Sequence, residues 1–222
     1  MTCSARASRG AGERGFTLLE VVVVLAVLGL LLGTAVPLAG AVIAADRRQE
    51  ATAELAKIAR ALESYYFENA AFPVSLTATD FVGEHLQTGV ANTAVIDSFG
   101  AGLEYVYAVD AAANTATVHS RGENGVDDGA ATEEHVVVVA GAVPGTRRTY
   151  ARVRLIVEVL AEHIEAGGSV AGDWPTVRTA IGLGASYDTD GFGTTLQWDA
   201  ATHTLTSAGP DRSFGTTDDI GF

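Results

Sequence analysis

The sequence predicts an α+β protein: a long N-terminal helix, apolar at its start, and then two small units that each join a helix to an antiparallel β-sheet. Three observations predict this. Residues 16–45 are almost wholly apolar, with Glu20 as the sole charge, whereas the chain beyond them is of mixed polarity. Apolar residues then recur at three- and four-residue spacing in two separate stretches, around 55–65 and around 153–164. Each stretch is followed by a similar series of turn and strand signals.

Residues 1–15 are polar and basic, with Arg6, Arg9 and Arg14 against Glu13. Residues 21–45 form a run of 25, enough to cross a hydrocarbon core of about 30 Å as a helix. A secretory signal peptide would have a shorter apolar region ending in a small-residue cleavage site. The run therefore reads as a retained membrane helix with a basic cytoplasmic leader. The positive-inside bias leaves residues 49 onward outside the cytoplasm.

The junction Arg14-Gly15-Phe16-Thr17-Leu18-Leu19-Glu20 and the apolar VVVVLAVLGLLLGTAVP after it resemble the class III signal of type IV pilins and type II secretion pseudopilins. The resemblance implies that a prepilin peptidase cuts between Gly15 and Phe16 and methylates the new amine of Phe16. It puts Glu20 at the fifth mature position and Pro37 at a recurrent family proline. Independently, a carboxylate inside a membrane helix costs about 2.5–3.5 kcal/mol on insertion scales, so Glu20 needs a partner or a reason. One partner is the N-terminal amine of a neighbouring subunit, which would set axial stagger in a filament. The alternative is a carboxylate near enough to the helix end to reach the interface unpaired. Pro37 removes one helix hydrogen bond and should kink or loosen the helix there, unless neighbouring groups satisfy it.

The helix is expected to run on to about residue 69, with Leu55, Ile58, Leu62 and Tyr65 on one face and Glu50, Glu54, Lys57 and Glu63 on others. Beyond it come Phe72-Pro73, a loop to about 96, and the turn Asp97-Ser98-Phe99-Gly100. Strands are expected at 103–109, 115–119 and 136–139, with Ser120-Arg121-Gly122 and an acidic loop before the last. Gly141-Ala142-Val143-Pro144-Gly145 reads as a hinge.

The order then repeats. Arg147-Arg148 opens a second helix with Val153, Val157, Leu160 and Ile164 at helical spacing. Trp174-Pro175 answers Phe72-Pro73, and Asp190-Gly191-Phe192-Gly193 answers Asp97 to Gly100. Strands at 196–198 and 202–206 precede Ser207-Ala208-Gly209, which answers Ser120 to Gly122, and Thr217-Asp218-Asp219 answers Thr132-Glu133-Glu134. The expected organisation is a leader at 1–15, an assembly helix at 16–45, a first unit at 46–140, a linker at 141–146 and a second unit at 147–222. Two unrelated halves sharing common turn residues remain the simpler alternative.

Each half resembles the globular part of the major pseudopilin of type II secretion, most closely in the terminal SAGPDRSFGTTDDIGF. In that family the terminal loop binds calcium. The resemblance implies Asp211, Asp218 and Asp219 as carboxylate ligands, the carbonyl of Ala208, and an oxygen of Ser213 or Thr216. The chemistry agrees, because Ca2+ takes about six to eight oxygens from carboxylates and carbonyls. The other reading of the loop is a frayed, solvated acidic end. In the first half Asn124, Asp127, Asp128, Glu133 and Glu134 offer oxygens at a longer, less regular spacing, where a solvated loop is the preferred reading. The family's usual chain has one globular unit, and the second is this sequence's departure from it.

Composition narrows the function classes. The chain has 222 residues, 48% hydrophobic and 18% charged, so it can bury a core. Its 14 basic and 27 acidic residues, net -13, argue against nucleic-acid binding. The single cysteine, Cys3, excludes an intrachain disulfide, and no two of the five histidines have the spacing of a helical zinc pair. No nucleophile elbow or phosphate-binding loop is present, so no enzyme is expected. The aromatics Tyr65, Tyr66, Phe72, Trp174, Phe192 and Trp198 are expected to anchor cores rather than line a groove.

The family reading therefore implies a structural subunit of a filament assembled from the bacterial inner membrane, single-pass, with its globular part periplasmic. Its partners would be other pseudopilins, the prepilin peptidase, and an assembly platform with its ATPase. Two alternatives remain: a type IV pilus or competence pilin, and a membrane-anchored, calcium-stabilised extracytoplasmic binding module.

Overall fold

The protein is described by a computed structural model covering residues 17–87, 93–99, 102–131 and 135–222, without the side chains of 34–39. Its secondary structure is α+β, and the chain divides into two compact units, Met1–Asp46 and Arg47–Phe222.

In the first unit, helix α1 (Leu18–Asn69) begins behind Thr17, whose Oγ1 accepts the Glu20 N–H at 3.2 Å. A hydroxyl at the N-cap satisfies a donor the helix would leave bare, and Glu20 in the first turn meets the positive end of the helix dipole. Side chains 18–33 are all exposed, Leu18 by 83% and Leu30 by 71%. The expected membrane span over 16–45 is not supported among the described residues, where no helix is long and apolar enough to cross a membrane.

In the second unit, the rest of α1 buries Leu55, Ile58, Leu62 and Tyr65 as the periodicity requires, together with Tyr66. The helix stops where Ala70 turns to φ +56°, its N–H still reaching the Tyr66 carbonyl at 2.8 Å, and Pro73 follows. Strands β1 (Val106–Asp110), β2 (Thr115–His119) and β3 (Val136–Ala140) form an antiparallel sheet in that order. Its inner face, with Ala116, Val118 and Val139, packs with α1, Leu76, Phe81, Val95 and Tyr105 into one hydrophobic cluster.

Helix α2 (Ala142–Glu165) starts five residues earlier than expected. Residues 142–145, expected in a linker, are its first turn. The chain is pinned there, because Gly141 N–H donates to the Asn114 carbonyl at 2.9 Å and a Cβ on Gly141 would fall 2.6 Å from the Tyr66 ring. Pro144 causes no break so near the start, where its missing N–H has no helical partner to lose. The buried stripe of α2 is Thr149, Val153, Ile156 and Leu160. Val157 and Ile164, expected inside, are 49% and 43% exposed, because the helical turn carries them to the neighbouring face. At the end of α2, Gly167 at φ +81° lets its N–H and that of Gly168 close on the carbonyls of Ile164 and His163.

Asp173 caps α3 (Trp174–Ala180) through the Thr176 N–H, and Pro175 sits in the first turn, where proline fits a helix. Strands β4 (Gln197–Asp199), β5 (Thr204–Ser207) and β6 (Ile220–Gly221) form a second antiparallel sheet in chain order. A second cluster gathers Val153, Ile156, Leu160, Trp174, Val177, Ile181, Leu196 and Leu205. Of the aromatics, Tyr65, Tyr66, Trp174 and Phe192 are buried, while Phe72 and Trp198 pack partly buried against the two clusters.

Candidate functional site

The candidate residues of the sequence fall in two regions: the start of α1 and the C-terminal loop after β5. At the start of α1 every described apolar side chain faces outward on all sides of the helix. A helix apolar all round is ordinarily buried in protein or lipid. Glu20 is exposed beside these side chains, its backbone N–H tied to Thr17. Gly15 and Phe16, the expected processing pair, lie outside the described residues, and the side chain of Pro37 does too.

The C-terminal loop rests on a buried aspartate. Asp190, 1% exposed, accepts the Phe192 and Thr194 N–H groups on Oδ1 and the Ser207 hydroxyl on Oδ2 at 2.7 Å. Ser207 in turn accepts the Gly209 N–H, which starts the loop. The first half has the same latch: buried Asp97 accepts the Phe99 N–H, the Ser120 hydroxyl at 2.8 Å and the Arg121 N–H, and Ser120 accepts the Gly122 N–H. A carboxylate out of water needs such donors, and each of these has at least three.

Within the loop the aspartates act first as caps on the backbone. Asp211 accepts the Ser213 N–H at 2.8 Å, Asp218 the Asp211 N–H at 3.0 Å, and Asp219 the Gly215 N–H at 2.7 Å. The Thr216 hydroxyl donates to Asp218 and to the Ser213 carbonyl. The Thr216 hydroxyl, followed by the Asp211 N–H, holds the Asp218 carboxyl below the usual carboxylate range. Ser213 gives its own hydroxyl to the Asp211 carbonyl at 3.3 Å. Ala208 is wholly buried.

Two observations bear on whether these residues suit a cation. Asp219 Oδ1 is buried and, among the described residues, has no hydrogen-bond partner. Gly209 lies at φ +68° with the Asp218 carbonyl so close that a Cβ would sit 2.1 Å from it, so only glycine allows this closure. Against them, the three carboxylates are not gathered within 4.8 Å of one another. Asp211 and Asp218 are spent on backbone caps and Asp219 caps Gly215 through Oδ2, which leaves Asp219 Oδ1 as the carboxylate oxygen that could hold a hard cation. The second candidate set is partly outside the described residues, since it includes Glu133 and Glu134. Of its described members, Asp127 pairs with His119 at 2.9 Å and Asn124 donates to Asp128.

Sequence reasoning missed how the loop is docked. Arg212, at φ +60°, donates to Asn114 Oδ1 at 3.2 Å, and Asn114 Nδ2 donates to the Tyr66 hydroxyl at 2.9 Å. The available signal was the pair of matching hairpin turns Asp110-Ala-Ala-Ala-Asn114-Thr115 and Asp199-Ala-Ala-Thr-His203-Thr204. In both, the leading aspartate accepts two turn N–H groups, and the fifth residue takes a positive φ, 52° at Asn114 and 55° at His203.

Residues 11–36 match the family described as the prokaryotic N-terminal methylation motif. The chain thus carries a type IV pilin-like prepilin signal, which points to a structural subunit that is membrane-anchored or exported and to processing by a prepilin peptidase. No curated protein and no solved structure matches the chain.

Proposed function

We propose that this chain is a pseudopilin-like filament subunit of type II protein secretion, cleaved between Gly15 and Phe16, N-methylated on Phe16 and assembled from the bacterial inner membrane. The observation that carries the proposal is the methylation motif at 11–36 together with the helix it overlaps, whose described apolar side chains over 18–33 are all exposed in the single chain. Before assembly such side chains belong in lipid, with residues 49 onward periplasmic. In a filament they pack against the same segments of other copies or of other pseudopilins, and helix packing supplies most of the cohesion. Glu20 would set the register by pairing with the Phe16 amine of a neighbour, as the platform and its ATPase add subunits.

The globular part is a duplication in this proposal. It is supported by the two Asp–Ser latches, the two matching hairpin turns and the two three-stranded sheets of equal order. The C-terminal loop is the candidate calcium site, with Asp219 and the carbonyls around Gly209 as its core. Bound calcium there would supply charge neutralisation and rigidity, while Asp211 and Asp218 hold the loop backbone in place.

The test is intact mass and N-terminal sequencing of the protein extracted from membranes of cells with an active prepilin peptidase. Methyl-phenylalanine at Phe16 is the expected terminus, and retention of Met1 would end the reading. The neighbouring genes separate secretion from a pilus, a secretion ATPase, platform and secretin being expected rather than retraction machinery. Calcium is tested by melting: at about a hundredfold excess over Kd, a ligand bound to the folded state alone adds about 2.7 kcal/mol. A melting temperature indifferent to chelator and to added calcium would remove the site.

A further inference from the structure

The last turn of α1 faces a tight turn that carries an acidic and a histidine side chain. Phe81 accepts the backbone N–H groups of both His85 and Leu86 at 3.0 Å, and Gly83, at φ +91°, donates to the Leu86 carbonyl at 2.9 Å. This closure fixes Glu84 and His85 beside Ser64 and Glu68, which lie one helical turn apart on α1. The His85 side chain is only 4% exposed, set edge-on to Tyr65 and stacked on Phe81 with the ring planes 17° apart. Its Nδ1 lies 3.2 Å from Ser64 Oγ. Its Nε2 makes no hydrogen bond among the described residues, and the Glu68 Oε2 oxygen stands 3.8 Å away.

The ligand atoms of Glu68, Glu84 and His85 all lie within 4.8 Å of one another. Two ligands of one ion at about 2.1 Å each can be no more than about 4.2 Å apart. The His85–Glu68 separation already meets that limit, and the carboxylates sit on exposed, adjustable side chains. We propose that Glu68, Glu84 and His85 form a binding site for a divalent transition cation of the zinc class. Imidazole with carboxylates suits such a cation, whereas calcium takes oxygens alone. Ser64 would accept the Nδ1–H, which fixes the tautomer and leaves the Nε2 lone pair toward the carboxylates, the outer arrangement usual for a metal-bound histidine. Three protein ligands leave a fourth position open to water or to a group from another molecule.

The competing occupant is a proton, with His85 as an imidazolium between two carboxylates. Lys57 and Arg60 line the same cleft as His85, and Arg148 attracts the Glu68 carboxylate electrostatically. Among the described residues no lysine or arginine forms an ion pair with Glu68 or Glu84. Arg148, which borders the same end of α1, gives its guanidinium to the Phe67 carbonyl at 2.8 Å. The site is separate from the C-terminal loop and does not depend on the filament reading.

The test is calorimetric titration of chelator-stripped, detergent-solubilised full-length protein with zinc chloride, alongside calcium chloride. One zinc equivalent, a raised melting temperature and a cobalt absorption spectrum of low coordination number are expected. Glu68→Gln and Glu84→Gln should each abolish or weaken zinc binding at least tenfold, and Ser64→Ala should weaken it about tenfold. Asp219→Asn should leave zinc binding intact. His85→Gln should also lose zinc, and if loss of the buried ring prevents folding, the two exposed glutamate variants still decide the question. Zinc binding unchanged in Glu68→Gln and Glu84→Gln, or no zinc binding by the wild type in chelator-free buffer, overturns the proposal.

Discussion

Ser207 donates its hydroxyl to buried Asp190 at 2.7 Å, and Ser120 does the same to Asp97 at 2.8 Å. Each pair joins the turn before a sheet to the end of the sheet's middle strand. The loop that follows is launched from the same serine in both halves.

Removing either hydroxyl should therefore loosen a loop and not merely delete a contact. Ser207→Ala leaves Asp190 Oδ2 short of a donor, which costs about 1–3 kcal/mol, and Ser120→Ala costs less, because Phe99 and Arg121 N–H groups still reach the two Asp97 oxygens. For a unit of this size the melting temperature should fall by about 2–4 °C per kcal/mol. Amide exchange should quicken in the loop after the altered serine and not in its counterpart.

The approach of α2 to the Asp190 turn depends on two glycines. A Cβ on Gly191 would sit 1.9 Å from the Gly145 carbonyl oxygen, and one on Gly145 would sit 2.3 Å from the Phe192 ring. Gly191→Ala should cost more than about 3 kcal/mol, since backbone cannot yield as a side chain does. Gly221→Ala, with nothing within 4 Å of the added atom, should change stability by less than about 0.5 kcal/mol. Urea denaturation of the two variants makes the comparison.

Acid sensitivity has a definite sign. The Asp218 carboxyl is lowered first by the Thr216 hydroxyl, and that of Asp127 first by His119. A carboxyl lowered in the folded state contributes stability that is present above its unfolded value, about 3.9. That stability is lost as pH falls through the lower folded value. Melting temperature should thus decline below about pH 4, and Thr216→Val should move the Asp218 titration, followed by carboxyl NMR, back toward the ordinary range.

Glu20 is predicted to matter for assembly and not for folding, because its side chain is exposed in the single chain. Glu20→Val should keep the melting temperature of the globular unit and the processing at Gly15 while losing incorporation into filaments. Electron microscopy showing normal filaments would remove the register role.

Much of the architecture was legible from residues alone. The face of α1 with Leu55, Ile58, Leu62 and Tyr65 is a periodic pattern, and the structure buries it as written. The four longer strands lie close to their expected places. The start of α2 was not legible, because Gly141-Ala-Val-Pro-Gly145 has the local chemistry of a break. It is helical because Gly141 bonds to Asn114 and Gly145 packs under Phe192, contacts remote in sequence. The inward face of α2 was half right for the same reason: Val153 and Leu160 are buried, but Ile156 displaces Val157 once the partner surface is in place.

By itself the sequence determined the prepilin-type signal at its start, since a peptidase reads a linear run of residues and needs no fold. It also determined the helical period and the order of turns, which are local properties. Only the tertiary structure decided that Asp97 and Asp190 are buried latches and that Arg212 reaches Asn114 across 98 positions. It alone spends the loop aspartates on backbone caps and brings His85 beside Glu68. Those relations depend on which distant donors meet each carboxylate, and distance in space is set by packing, not by spacing along the chain.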